Sequence, residues 1–197
     1  MHSSSVIAGK VLMSYSLDDF CNDTRAILLE SDDHDGRENI REKLELLLCD
    51  AAFCMEYVGP GNDPGVSQIF EDPRLGFCVL AYNMANSRTS PPHDHGDSWA
   101  VYGQVSGYTD MTIWSGADSC YGEGDGNIDP VRTFRLEPGQ AGLFDVRDIH
   151  SIEYAGGSKF VRVTGVDMSR ETRRVFDPES GTVREIKHVG TGKPANE

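Results

Sequence analysis

Hydrophobic positions divide the chain into a helical opening and a β-rich remainder. Leu17, Phe20, Thr24, Ile27 and Leu28 recur at the spacing of one helix face, and Ser16 followed by Asp19 has the form of a capping box that starts the helix. The acidic stretch 31–36 ends it. A second helix is predicted from near Arg37, with Ile40, Leu44, Leu47, Leu48 and Ala51 as its apolar stripe. Glycine and proline then crowd positions 59–65 and stop all helix. From Ser67 onward the period shortens to two, in runs at 77–83, 98–105, 109–114, 132–136, 141–145, 151–154 and 159–164 separated by turn residues. Strands in this number without an alternating helix disfavour a parallel α/β fold and predict a mostly β barrel or sandwich after two N-terminal helices. The expected organisation is one structural domain: a helical segment over 1–65 packed on a barrel over 66–186, with a polar tail at 187–197.

Composition narrows the partners. The formal net charge of the 197 residues is -14 and the isoelectric point about 4.7, so nucleic acid and anionic membrane surfaces are repelled. Much of the acidity lies at Asp18, Asp19, Asp23, Glu30, Asp32, Asp33 and Asp35, which reads as a solvated face. The five cysteines, at 21, 49, 54, 78 and 120, are odd in number and lack paired or zinc spacing, which points to free thiols in a reducing compartment. The apolar stretch 6–13 is short and broken by Gly9 and Lys10, and no run reaches the roughly 20 residues of a membrane span. A cytoplasmic protein is expected.

The candidate chemistry sits in Pro91-Pro92-His93-Asp94-His95-Gly96. On an extended backbone, residues two apart point the same way, so His93 and His95 can aim at one point while Asp94 faces away. Two neutral imidazoles so placed suit a first-row divalent metal, and His150, in a second strand-turn context, is the candidate third ligand. His2 and His188 sit near the termini, and His34 lies in an acidic stretch.

The segment His93-Asp94-His95-Gly96-Asp97-Ser98, with Gly107 after it and His150 downstream, resembles the two motifs of the cupin superfamily. The H-D-H-x-D-S pattern, together with Phe176-Asp177-Pro178-Glu179-Ser180-Gly181, is similar to the cysteine dioxygenase and related thiol dioxygenase branch. The resemblance implies a double-stranded β-helix barrel with Fe(II) on His93, His95 and His150, and O₂ as co-substrate; Mn, Ni or Zn are the other metals considered. The glutamate ligand of many cupins falls at Trp99 or Ala100, so it is missing, and Asp97 is the nearby carboxylate sharing the ligands' parity. Three neutral ligands leave the ion's charge uncompensated, which favours an anionic substrate group.

The chain also departs from that branch. The branch's Ser, His and Tyr fall at Phe160, Arg162 and Thr164, and its thioether-forming cysteine at Ala100. Its substrate-binding arginine falls near Ser67 or Gln68. If Phe160, Arg162 and Thr164 face inward, Arg162 becomes a guanidinium inside the barrel, holding either a substrate carboxylate or an internal partner such as Glu153 or Asp167. Tyr82, Trp99 and Tyr154 are expected to line the same pocket, although core packing would also account for them. Three functions stay open: an Fe(II) oxygenase of a small organic acid, including a thiol carboxylate; a metal-dependent lyase or isomerase without O₂; and a cupin that binds a small ligand without transforming it. A homodimer is a further expectation.

Overall fold

The computed structural model describes residues 14–116 and 124–187. Helix α1 (Leu17–Glu30) starts on Ser16, whose hydroxyl accepts the Asp19 amide while the Asp19 carboxylate accepts the Ser16 amide. Helix α2 (His34–Leu48) begins earlier than Arg37, because Asp33 caps it by accepting the Gly36 amide. The stripe read through Ala51 is not one helix. It breaks at Cys49, and Asp50 caps α3 (Ala51–Val58) by accepting the Phe53 amide, so three helices replace the expected two.

The strands are β1 (Gly65–Glu71), β2 (Cys78–Asn83), β3 (Arg88–Thr89), β4 (Ala100–Ser106), β5 (Thr109–Ser115), β6 (Gly124–Asp125), β7 (Asp129–Leu136) and β8 (Ala141–Phe144). They continue as β9 (Ile149–Tyr154), β10 (Lys159–Thr164), β11 (Thr172–Asp177) and β12 (Thr182–Lys187), with a 3-10 turn over Met168–Arg170. Every run expected from the pattern forms a strand. β1, β3, β6, β11 and β12 are additions. The tail expected from Lys187 lies outside the described residues except for Lys187 itself, as do His2, His188 and Cys120.

All pairings are antiparallel, in sheets ordered β1-β2-β10-β4-β8, β3-β9-β5-β7 and β11-β12-β6. Side chains of the first two sheets meet in one cluster, with Tyr102, Phe144 and Phe160 from one and Met111, Leu136 and Tyr154 from the other. This is a mostly β architecture of antiparallel sheets packed face to face, preceded by helices. The outer face of the five-stranded sheet carries Val79, Val101, Val161 and Val163, which pack on Phe20, Ile40, Leu44 and Leu47 of the helices. Gly103 permits that approach, since a Cβ there would lie 2.8 Å from the Leu44 and Leu48 side chains. The β10 alternation therefore sends Val161 and Val163 outward and Phe160 inward, with Arg162 on the inward face.

Candidate metal centre

His93 is not within a regular strand. It is held by single β-bridges to His150 on one side and Val175 on the other, and exchanges both backbone hydrogen bonds with His150 at 2.9 Å. Directly opposed residues of an antiparallel pair project to the same face, so the bridge fixes both imidazoles on one side. Asp94 points the other way, as its parity requires, but it is not free: it is fully buried and accepts from Arg174 Nε at 2.6 Å and from the Arg174 and Gly96 amides. That lock pins the H-D-H segment to β11 from behind. Gly96 closes the turn with φ 63°, and a Cβ there would fall 2.3 Å from the Thr172 carbonyl oxygen.

The three rings converge. Centroids of His93 and His150 are 4.6 Å apart, of His95 and His150 4.9 Å, and of His93 and His95 5.5 Å. One nitrogen from each lies within 4.8 Å of the others. His93 Nδ1 is 2.9 Å from the Pro91 carbonyl oxygen, which can only accept, so Nδ1 carries the proton and Nε2 presents its lone pair. Phe144 stacks on His150 at 3.9 Å between centroids.

Burial keeps the cluster neutral. It pushes the His93 pKa down to about 4, helped by the Arg173 and Arg162 charges, and holds His95 and His150 well below the usual histidine range. Neither ring nitrogen of His150, nor Nδ1 of His95, has a hydrogen-bond partner among the described residues. Buried polar atoms are nearly always satisfied. Convergent, neutral, unpartnered imidazole nitrogens fit a divalent ion of the first transition row, and the donor set contains no thiolate or carboxylate.

Asp97 does not join them. Its side chain is 73 % exposed and pairs with Arg147, because the turn at Gly96 carries it out of the strand parity that the sequence implied. Arg162 does lie on the inward face, directly across from Tyr102 on β4 and Leu80 on β2, with its guanidinium 5.3 Å from the Tyr82 ring centroid. Neither expected internal partner reaches it. Glu153 is exposed, Asp167 pairs with Arg170 and Ser169, and among the described residues Arg162 makes no ion pair and leaves Nε buried and unpartnered. Tyr82 stacks on Phe160 at 4.4 Å, and Tyr154 lies 5.4 Å from the same ring, so both belong to the interior. Trp99 does not: it is buried in the layer between the helices and the outer face of the sheet.

Two residues at the centre escaped the sequence reading. Tyr102 places its hydroxyl 3.2 Å from His95 Nε2, and the parity of β4 could have shown it, since Ala100, Tyr102 and Gln104 share a face. Arg173 lies on β11 two residues from Val175, the bridge partner of His93, and so shares its face. Its Nε is buried without a hydrogen-bond partner. Nothing in the Glu171-Thr172-Arg173-Arg174 pattern distinguishes which arginine turns inward.

No protein-family model matches the chain, and no curated protein matches it in sequence. Similar solved structures include the Schizosaccharomyces pombe Cnp3 cupin domain, at 13 % identity over 55 % of this chain and 66 % of that one, TM-score 0.41. DMSP lyase DddQ from Ruegeria pomeroyi DSS-3 is 11 % identical over 58 % of this chain and 52 % of that one, TM-score 0.41. KdgF from Halomonas sp. is 13 % identical over 50 % of this chain and 74 % of that one, TM-score 0.38. Likenesses of this size concern the fold and carry no argument about chemistry. Among the described residues no helix is long and apolar enough to cross a membrane.

Proposed function

We propose that this chain is a metal-dependent enzyme in which His93, His95 and His150 hold one divalent ion beside a binding site for a small organic acid, with Fe(II) serving a dioxygenase-like oxidation. The observation that carries the reading is the convergence of three neutral, buried imidazoles next to a guanidinium that no carboxylate among the described residues neutralises. Fe(II), when bound, supplies open coordination positions and redox chemistry for substrate and O₂. The Arg162 guanidinium takes the acid's carboxylate in a bidentate pair and orients it toward the histidines. Tyr82, Tyr154 and Phe160 wall the site and keep water from it. The absence of the thiol dioxygenase Ser-His-Tyr set, replaced by Phe160, Arg162 and Thr164, makes the acid rather than a thiol the expected recognition element.

Tyr102 favours a second reading. A phenol beside His95 can hold or donate a proton at a reacting carbon or leaving group, as a metal-dependent lyase or isomerase requires without O₂. An oxygen electrode separates the two. Protein loaded with Fe(II) is expected to consume O₂ when offered a panel of hydroxy-, keto- and mercapto-acids. Turnover that persists under strict anaerobiosis, or with Zn(II) or Mn(II) in place of iron, assigns the lyase or isomerase class and overturns the oxygenase.

A further inference from the structure

Half-buried and buried arginines elsewhere in this acidic molecule have carboxylate partners: Arg25 with Asp72, Arg37 with Asp145, Arg41 with Glu38 and Arg174 with Asp94. Arg162 and Arg173 depart from that rule. Neither has an ion pair among the described residues, and each buries an Nε without a hydrogen-bond partner. They approach the histidines from different walls. Arg162 projects from β10 across from Tyr102, whereas Arg173 projects from β11 on the face that the Val175–His93 bridge turns toward the cluster. Arg88 lies opposite Tyr154 on exposed β3, placing a third positive charge at the rim.

The two inner charges feel one another. Burial first, and then the Arg162 and Arg88 charges, lower the Arg173 pKa, and both inner arginines depress the histidines. Like charges held together in a buried site with no anion are unfavourable unless a ligand supplies one. The acidic side chain immediately behind the cluster, Asp94, faces away and is committed to Arg174. Hence the charge this site lacks must come with the substrate. With a divalent ion added on neutral ligands, a monocarboxylate would leave the site strongly positive.

We infer that the substrate is a dianionic organic acid, a dicarboxylate with one carboxylate directed at Arg162 and the metal position and the other at Arg173. This deepens the metal-dependent acid-binding reading above and rests on it. A carboxylate at each guanidinium satisfies the orphaned donors and neutralises the pocket. Arg173 acts here as a specificity-determining residue, since it is the group that separates a diacid from a monoacid.

Isothermal titration calorimetry on the full-length protein, with Zn(II) loaded as a non-turnover ion and again without metal, tests this using malonate, succinate and glutarate against propionate, butyrate and inorganic phosphate. At least one dicarboxylate is expected to bind about tenfold or more tightly than the monocarboxylate of equal length, the scale of one added charge-assisted hydrogen-bonded pair. Arg173→Gln is expected to abolish that preference, weakening the dicarboxylate far more than the monocarboxylate, and Arg173→Lys to restore part of it. The comparison of wild-type ligands needs no variant, so a misfolded Arg173→Gln leaves the inference open to refutation. Equal binding of mono- and dicarboxylates, or binding of phosphate alone, overturns it, and metal uptake with monocarboxylate binding would then leave the metal-dependent reading standing. Dicarboxylate preference that depends on Arg173 in protein unable to take up metal upholds the diacid site while removing the metal-dependent reading.

Discussion

At the scale of single residues, the site is set by what lies behind it as much as by its ligands. Asp94 is fully buried, and its carboxylate takes the Arg174 guanidinium as well as the Arg174 and Gly96 amides, so it holds His93 and His95 from the rear. Removing one member of a buried, hydrogen-bonded ion pair strands the other's charge in a poor solvent. Asp94→Ala is expected to lose about 3 kcal/mol or more in urea unfolding and to weaken metal uptake about tenfold or more. Gly96 is a second such position: Gly96→Ala must hold φ 63° and push a methyl into the Thr172 carbonyl, with an expected loss of at least about 1 kcal/mol in the same unfolding measurement. The histidines themselves were legible because the H-x-H spacing states its own parity. Arg173 was not, because a pair of adjacent arginines names no inward member until the His93–Val175 bridge fixes the register.

At the scale of elements, strands with buried or alternating apolar residues announced themselves, the edge strands β7 and β8 included, and the more polar or very short ones did not. β2, β4, β8 and β10 are buried and apolar enough to read as strands, whereas β1 is an edge strand with exposed Val66, Ser67 and Gln68. β11 and β12 alternate weakly, with charged residues at Arg173, Arg174, Arg184 and Glu185. The division of α2 from α3 hid in the same way, since the apolar stripe runs on past the Asp50 cap. The helices are tied to the barrel through Arg25 of α1 and Asp72 beyond β1, 2.7 Å apart, with the Arg74 and Leu75 amides also donating to Asp72. Burial alone would raise the Asp72 pKa, but the Leu75 and Arg74 amides and the Arg25 guanidinium outweigh it and bring it below the usual 3.8. A depressed carboxylate contributes stability that is fully present above its unfolded pKa and lost as pH falls through the folded one. Asp72→Ala is therefore expected to cost about 2 kcal/mol at pH 7, with the gap to wild type narrowing below about pH 4 in chemical denaturation.

At the scale of the whole molecule, a chain of net charge -14 encloses a histidine centre to which no carboxylate among the described residues contributes. The acidic surface repels polyanions, while the proposed site turns imidazoles and guanidinium groups inward, the arrangement a small anion would complement. That contrast was half legible: the sequence showed the acidity and the histidines, and only packing showed that Asp97 turns outward and Trp99 lies on the far side of the sheet. Binding that is confined to the folded state also stabilises it. Metal at about 100 times its dissociation constant is expected to add about 2.7 kcal/mol, or roughly 5–10 °C in thermal unfolding for a domain of this size, and His150→Ala is expected to show no such rise.

The most direct test is the metal content of full-length protein purified without chelator, measured by plasma mass spectrometry alongside His150→Ala. Three-histidine coordination requires about one divalent ion per chain in the wild type and less than about a tenth of that in the variant. Equal metal content in the two, with the variant shown to be folded, would contradict the site described here.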